Sequence, residues 1–322
     1  MNRPSLVVFA PSPLLTITAE DADMPRQEIH LHAGGQGFWV ARMAALLGIR
    51  VSLCCALGGE SGAVLRGLIA RESVEVLSVD CAASNGVYIH VRRGAVREQV
   101  ARTECEALSR HETDDLYGLA FSAALDADVM LLTGVDPPGV VDSDVYRRLA
   151  LDLGSNGVRV VADLSHAALD AALAGGVDIL KISEEEVLGE GRARSAERED
   201  LLMALDALHE AGARTILLSR AEAPALVLDG ARGRYLQLTG PRVETLEPHG
   251  AGDSMFAALG VGIARGQDAD AVLRLAMAAG CLNATRHGLG TGTREEIQHL
   301  SGHIAVEELA CSARDPASGP SH

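Results

Sequence analysis

The sequence predicts an α/β protein in which a mostly parallel sheet lies between two layers of helices, with a small second sheet beside it. Short apolar stretches alternate with longer helical stretches in the second half of the chain, which is typical of parallel βαβ units. Two earlier stretches alternate apolar and polar residues one by one, which predicts strands that bury one face. At 322 residues the chain is long enough for one large domain.

The first part of the chain combines two core strands with two glycine-rich turns that lead into helices. An apolar strand is predicted at 6–9 and a buried strand at 51–57. Glycine-rich turns at 34–37 and 58–62 each precede a helical pattern, which Gly48 ends in the first case. The glycines supply the backbone freedom that these turns require.

The small sheet is predicted from two separate stretches, 12–33 and 84–107. Within the second stretch, residues 87–91 alternate Val, Ile and Val with Tyr and His. A sheet with one apolar face needs a cover, since exposed apolar patches are unfavourable in water. We expect the substrate or a second subunit to supply that cover.

The second half of the chain completes the core. Its predicted parallel strands are 129–132, 159–162, 179–182 and 215–218. A hairpin at the sheet edge is predicted from 225–228 and 235–238, because Asp229-Gly230 joins them. Later helices are predicted near 268–285 and 294–311. Residues 312–322 have the composition of a disordered tail, so 1–311 are predicted to form a single domain.

The composition excludes several classes of partner. A formal net charge of −16 argues against binding to nucleic acid or an anionic membrane, because both require a basic surface. No apolar run has the length of a membrane span, and prolines interrupt the first apolar run, so we expect a cytoplasmic protein. The six cysteines show no metal-ligand spacing and are predicted to be reduced.

The stretch 247–266, EPHGAGDSMFAALGVGIARG, predicts a turn that leads into a helix. Gly250, Ala251 and Gly252 lie where the first turn begins, and backbone N–H groups there lack helical partners and form an anion cradle. Asp253 follows directly. It is either a general base that takes a proton from a hydroxyl while the amides hold a phosphoryl group, or an ordinary acidic residue at a helix start.

Four motifs, in this order, resemble those of the PfkB carbohydrate kinases, which have the ribokinase-like fold. They are GGQGFWVA (34–41), LTGVDPPG (132–139), KISEEE (181–186) and GAGDSM (250–255). The phosphofructokinase and tagatose-phosphate kinase branch is the most similar. The resemblance implies a three-layer α/β/α core, a lid made of the small sheet, a homodimer formed through the lids, and ATP and Mg²⁺ as cofactors.

The resemblance also implies where a sugar or sugar phosphate binds. The corresponding residues are Thr16, Gly34, Gly35, Gln36, Trp39, Asn85 and Arg102. Several depart from the branch: Thr16 replaces an aspartate, Gln36 a lysine and Trp39 an asparagine. Asn85 stands where an arginine is usual, and Arg102 is a nearby substitute. These departures predict either a different sugar or polyol, or the loss of phosphoryl transfer.

For the nucleotide and metal, the resemblance implies a second group of residues. Lys181, Ser183, Ser219 and Asn283 are expected near ATP, and Glu186 near Mg²⁺. Lys181 is the only lysine among 28 basic residues, which indicates either a need for a compact ammonium group or chance. An acidic first helix turn at 184–186 is also favourable without any metal.

The function implied is ATP-dependent phosphorylation of a primary hydroxyl on a sugar or sugar phosphate. Asp253 would be the base and the amides of 250–253 the anion hole. Two alternatives remain open. One is a nucleoside kinase of the same fold, in which Trp39 stacks on a base, and the other is a non-catalytic sensor of sugars or nucleotides.

Overall fold

The computed structural model describes residues 3–20, 28–93, 96–241, 249–286 and 292–310. Its strands are β1 (Ser5–Phe9), β2 (Leu14–Glu20), β3 (Glu28–Gly34), β4 (Arg50–Gly58), β5 (Glu75–Cys81), β6 (Val87–Arg93), β7 (Val96–Thr103), β8 (Val129–Thr133), β9 (Arg159–Asp163), β10 (Val177–Ser183), β11 (Ala213–Arg220), β12 (Ala223–Asp229), β13 (Arg234–Thr239) and β14 (Ala305–Glu308). Its helices are α1 (Gln36–Leu46), α2 (Gly59–Ile69), α3 (Arg110–Leu125), α4 (Asp144–Ser155), α5 (His166–Gly175), α6 (Glu184–Gly189), α7 (Arg198–Glu210), α8 (Ala251–Ala264), α9 (Ala269–Ala284) and α10 (Arg294–Ser301).

Within these residues, ten strands form one large sheet in the order β14-β13-β12-β11-β10-β9-β8-β1-β4-β5. The neighbouring strands from β11 to β5 in this order run parallel, whereas β12, β13 and β14 pair antiparallel at one side. The mostly parallel sheet predicted from the alternation of strands and helices is therefore confirmed.

Both faces of the large sheet are covered by helices. In β1, Leu6 and Val8 pack in the core with α1, α2, α8 and α9, while Val7 and Phe9 pack in the core with α3, α4 and α5. Successive side chains of a strand point to opposite faces, so a continuous apolar run serves both cores. The predicted three-layer α/β/α architecture is confirmed.

The small sheet has the order β3-β2-β6-β7. Its strands come from the two separate stretches with alternating sequence, and β2 pairs parallel with β6 across that gap in the chain. Leu15 and Ala33 face the main core and are buried, whereas Ile29 and Leu31 in β3 are exposed. The second sheet predicted beside the core is confirmed.

The helix predicted at 294–311 is wrong beyond Ser301. The helix ends at Ser301 with Gly302 as its C-cap, and β14 follows and pairs with β13. Leu236 and Leu238 of β13 are buried, and Val306 of β14 packs against the same core. The predicted hairpin forms, but β13 is not the edge strand, because β14 supplies its missing backbone partners. The predicted tail, 312–322, lies outside the described residues.

No helix in the described ranges combines the length and apolarity that crossing a membrane requires.

Gly37 fixes the approach of α1 to the sheet. A Cβ on Gly37 would lie 2.3 Å from the Cβ of Ala10 and 2.8 Å from Oγ1 of Thr133. Ala10 directly follows β1 and Thr133 is the last residue of β8, and both lie close to the start of the helix at Gln36. The absence of a side chain at residue 37 therefore allows the helix start to contact the sheet.

We predict that Gly37→Ala lowers the free energy of unfolding by about 1–3 kcal/mol, because backbone-rigid neighbours must move. Gly118→Ala is the matched control, since Gly118 lies inside α3 and its Cβ would meet no atom within 4 Å. That control should stabilise by about 0.5–1 kcal/mol through helix propensity. Urea unfolding of both variants measures the difference, and equal effects would contradict the packing argument.

Candidate active site

The candidate site lies at the edge of the large sheet where the parallel strands end. Asp163 is the last residue of β9 and Ser183 the last residue of β10. The first turn of α8 reaches the same place, since Gly252 contacts Lys181 of β10. Ligands of open α/β sheets bind at this edge, because the loops that follow the strands meet there.

Gly250 gives α8 its start. Its φ of 77° lies in the left-handed region, which costs other residues roughly 1 kcal/mol or more. The backbone N–H groups of Ala251, Gly252 and Asp253 are in the first turn and point outward with the positive end of the helix dipole. The carbonyl of Gly250 accepts from the Ser254 N–H at 3.0 Å. This turn has the geometry that anion binding requires.

Asp163 and Lys181 form a buried ion pair between β9 and β10. The Lys181 Nζ lies 3.1 Å from Oδ2 and 3.3 Å from Oδ1 of Asp163. Burial raises the pKa of Asp163 to about 6, against the opposing charge of Lys181. Burial alone would lower the pKa of Lys181, but the carboxylates of Asp163 and Glu186 outweigh it and the pKa lies above its ordinary value. Lys181 is therefore a stable cation in the interior.

Asp253 belongs to the same electrostatic cluster. Burial, followed by the charge of Asp163, raises the pKa of Asp253 to about 7, although Lys181 opposes the shift. A carboxylate that titrates near neutral pH has the proton affinity that suits a general base. The glycine before it permits this arrangement, because a Cβ on Gly252 would lie 2.8 Å from the Lys181 Nζ.

Glu186 lies in the first turn of α6 and forms a capping box with Ser183. Its Oε2 accepts from the N–H of Ser183 at 2.7 Å and from Oγ at 2.6 Å. The charge of Glu186 also raises the pKa of Asp163 and of Asp253. The cap thus holds a third carboxylate at the margin of the cluster.

Gln36 connects the first glycine-rich turn to this cluster. Its Oε1 accepts from the Gly134 N–H at 2.8 Å. Its side chain also forms a hydrogen bond with Asp163 that lowers the pKa of that carboxyl. An amide can accept and donate at once, whereas a lysine at this position could only donate. The structure therefore gives Gln36 a role in holding Asp163.

Asn85 is buried and its amide is used within the protein. Its Nδ2 donates to Ser12 Oγ, Pro13 O and Ala56 O at 3.0, 3.2 and 3.1 Å. Its Oδ1 accepts from the Gly58 N–H at 3.0 Å. Three protein acceptors surround the two N–H groups of this amide, so its donors are used within the protein and Asn85 fixes the chain between the two sheets.

Four other expected substrate residues lie where the small sheet meets α1. A Cβ on Gly34 would lie 2.9 Å from Thr16 Oγ1, so these residues are in contact. Gly35 precedes α1 with a φ of 91°. Trp39 is half-buried and lies edge-on to Phe38, with ring centroids 5.1 Å apart. The backbone N–H of Trp39 donates to the carbonyl of Gly35 at 3.3 Å, which connects Trp39 to the turn of 34–36.

Arg102 lies in a group of polar side chains on the small sheet and the loop after β8. Its guanidinium lies 5.6 Å from the ring of Tyr88 and pairs with Glu104. The Tyr88 hydroxyl donates to Asp136 Oδ2. Burial, and then the hydrogen bond to Asp136, raises the pKa of Tyr88 to about 12. The phenol keeps its proton and joins the small sheet to the loop after β8.

Ser219 and Asn283 lie next to the cluster. Ser219 of β11 is opposite Ser183 in the pairing with β10, and its Oγ donates to Ile182 O at 3.5 Å. Asn283 is buried in α9, and its Nδ2 donates to the carbonyl of His249 at 2.9 Å. Asn283 therefore fixes the residue directly before Gly250.

Asp163 is the residue that sequence reasoning missed. The strand predicted from the apolar run ends at 162 and leaves this carboxylate in a loop. The available signal is a lone aspartate directly after an apolar parallel strand, at the edge where ligands bind.

The carboxylates near Lys181 suit a hard cation. Among the described residues, no three side chains of metal-ligand type converge on a preformed metal site. Mg²⁺ is commonly held by one or two carboxylates with water and substrate phosphates, rather than by a full cage of side chains. Asp163 and Glu186 fit that pattern of binding.

Comparison with known proteins agrees with this geometry. The model of the pfkB family carbohydrate kinases matches residues 11–296. The chain is 26% identical over 275 residues to the ATP-dependent 6-phosphofructokinase isozyme 2 of Escherichia coli K12, covering 84% of this chain and 88% of that protein. It is 27% identical over 311 residues to the protein of the same name from Mycobacterium tuberculosis H37Rv, with coverage of 93% and 89%.

A solved structure shares the fold. The crystal structure of phosphofructokinase-2 from Escherichia coli in complex with potassium aligns with a TM-score of 0.80 and 24% identity, covering 94% of this chain and 99% of that chain. The resemblance inferred from four short motifs is thereby confirmed. Because the family model spans most of the sequence, this chain belongs to the pfkB family of carbohydrate kinases.

Proposed function

We propose that this carbohydrate kinase transfers the γ-phosphoryl group of ATP to a primary hydroxyl of a sugar or sugar phosphate, with Asp253 as the general base. The observation that carries the proposal is the position of Asp253. It lies in the first turn of α8, beside backbone N–H groups that have no partner within the helix, and its pKa of about 7 follows from burial and from Asp163. The two relatives named 6-phosphofructokinase support a phosphorylated sugar as the acceptor.

In the proposed reaction, the carboxylate of Asp253 accepts the proton of the acceptor hydroxyl. The alcohol oxygen forms a bond to the γ-phosphorus, and the bond from that phosphorus to the oxygen bridging it to the β-phosphate breaks, so ADP leaves. The amides of 250–253 stabilise the charge on the moving phosphoryl group. Lys181, fixed by Asp163, adds a positive charge from the adjacent strand.

Asp163 and Glu186 are the residues that would hold Mg²⁺ in this proposal. When bound, the ion neutralises phosphate charge and orients the polyphosphate. Because Oε2 of Glu186 is used by the Ser183 cap, a metal contact would use its other oxygen or a water molecule. Ser183, Ser219 and Asn283 would contact or support the nucleotide.

The acceptor is proposed to lie between the small sheet, acting as a lid, and the turn before α1. Thr16, Trp39 and Arg102 are the side chains proposed to contact it, together with the backbone at Gly34 and Gly35. Gln36 and Asn85 would support this region through their protein contacts. Two further proposals accompany this one: a cytoplasmic location and a homodimer formed through the lids.

We predict that Asp253→Asn lowers kcat by about 10²–10⁴-fold, because the amide cannot accept the proton. ADP release with Mg-ATP would be measured over a panel of sugars, sugar phosphates and nucleosides. Asp144→Asn is the matched control, since Asp144 also lies in the first turn of a helix but pairs with Arg147 at the surface.

The outcomes separate the candidate functions. Turnover that survives Asp253→Asn would reject the assigned base. Turnover restricted to nucleosides would favour the nucleoside kinase, with Trp39 beside the base. Thermal stabilisation by a sugar or nucleotide, without turnover of any acceptor, would favour a sensor.

Asp253 should also make stability depend on pH. Its pKa in the folded protein is about 7, above the ordinary value of 3.8. Its contribution to the free energy of unfolding is therefore fully present at low pH and is lost as pH rises toward and through 7. We predict that Asp253→Asn exceeds the wild type in unfolding free energy at pH 8 by about 1 kcal/mol or more. The gap should shrink toward pH 4, as measured by urea unfolding.

Asp144→Asn should behave in the opposite way. A hydrogen bond from Arg147 lowers the pKa of Asp144, so its stabilisation is present at neutral pH and is lost on acidification. If the unfolding free energies of the two variants changed with pH in the same way, the raised pKa of Asp253 would be contradicted.

The proposed homodimer would cover the exposed apolar side chains of the lid. Ile29 and Leu31 of β3 are 64% and 44% exposed, and Val96 and Val100 of β7 are also exposed. Apolar side chains exposed on both edge strands of one small sheet indicate a surface that another molecule covers. A second copy of this chain is the proposed partner.

We predict that Ile29→Glu combined with Leu31→Glu converts a dimer to a monomer, because two buried carboxylates would lack partners. Light scattering during size-exclusion chromatography measures the mass. Leu125→Glu is the control, since Leu125 is 48% exposed at the end of α3, outside the lid. A monomeric wild type would refute the proposal, and so would a dimer that survives both lid substitutions.

A further inference from the structure

A cavity of about 830 Å³ lies at the edge of the large sheet opposite to the candidate active site. Its walls come from the first residues of β9, β10 and β11, the turn between β12 and β13, and the junction of α8 with α9. Cavities of roughly 300–1,000 Å³ are the usual size for small-molecule sites.

Three arginines line this cavity together with aspartates that anchor them. The side chains of Arg159, Arg214 and Arg232 are more than half exposed, whereas Asp178 and Asp229 are largely buried. Arg159 donates to Asp178, and Arg232 donates to Asp229 at 2.9 Å. The buried carboxylates therefore hold cationic groups at the cavity surface.

The arginines retain hydrogen-bonding capacity for a ligand. A guanidinium carries five N–H donors, and the contact from Arg232 Nη1 to Asp229 uses one of them. Arg214 Nη1 lies 3.8 Å from Asp178, which is beyond hydrogen-bond distance. The other acidic residue of the lining, Asp128, accepts from the Ser5 N–H at 2.9 Å. Planar guanidinium groups bind the paired oxygens of phosphate and carboxylate.

Part of the cavity lining is apolar. Ile179, Ile263 and Val272 contribute to it, and all three pack in the core that includes α8 and α9. A ligand with an uncharged carbon part would bury that part here while its oxygens contact the arginines. Three exposed arginines around one cavity also contrast with the net charge of −16 of the whole chain.

We propose that this cavity binds a small anionic molecule whose phosphate or carboxylate oxygens are recognised by Arg159, Arg214 and Arg232. The site is separate from the nucleotide and acceptor sites. On β9, Arg159 at the cavity and Asp163 at the active site are four residues apart, or about 13 Å along a strand.

Isothermal titration of the full chain with inorganic pyrophosphate and, separately, with succinate tests the proposal. The two probes distinguish a phosphate ligand from a carboxylate ligand. Arg214→Gln with Arg232→Gln should weaken binding at least about tenfold, because charged hydrogen bonds are lost. Arg66→Gln with Arg110→Gln is the control with the same change in charge, and it should bind like the wild type.

Ala231→Glu provides a second variant that keeps every arginine and its ion pair. Ala231 is exposed in the turn at the cavity, so a carboxylate there should repel either probe without affecting folding. Thermal unfolding checks that each variant is folded. Binding of both probes that persists in Ala231→Glu and in the arginine double variant, or no binding to the wild type, would overturn the proposal.

Discussion

The ion pair between Lys181 and Asp163 is the interaction on which the rest of the site depends. Beyond the effect of burial, Glu186 raises the pKa of Asp163, and both carboxylates raise the pKa of Asp253, while Lys181 is the cation among them. A buried charge without a partner would be strongly destabilising. The pair therefore allows three carboxylates to gather where the terminal phosphate of ATP is proposed to bind.

The backbone around the pair is shaped to fit it. Gly252 has no Cβ, which leaves room for the Lys181 amine, and Gly250 adopts a left-handed conformation that starts α8. Gln36, where the glycine-rich turn leads into α1, forms a hydrogen bond with Asp163. Because these residues come from β9, β10, α1 and α8, the parallel sheet is what brings distant parts of the chain together. Because the pKa of Asp253 is raised, its charged form lowers the free energy of unfolding. Functional sites commonly carry such a loss of stability.

The fold was predictable from the sequence because its signals are local and repeated. Alternating strands and helices fixed the three layers, and the glycines before Asp253 indicated the start of α8. The end of the chain was harder: β14 forms because β13 offers an edge, which depends on tertiary structure. Asp163 is harder to recognise as a site residue from the sequence, because many loops contain an aspartate directly after a strand. Its pairing with Lys181 is visible only in the structure.

The site shows the same division between local and tertiary information. The motif positions at 250–253 lie together in one turn, as a contiguous pattern predicts. Asn85 and Gln36 matched substrate positions, yet their amides make bonds to protein groups that no spacing reveals. The residue type fixes how many hydrogen bonds a side chain can form, but the three-dimensional neighbours decide which partners it has. A match at a motif position therefore does not show whether the side chain binds a ligand or the protein.

The solitary lysine has a practical consequence for chemical labelling. Because Lys181 is the only lysine in the sequence and is almost inaccessible, amine-directed reagents find no other side-chain target in this chain. Modification of that amine requires the Asp163 contact to open and solvent to enter the interior. The rate of acylation at this single position would therefore report how often the interior of the enzyme opens.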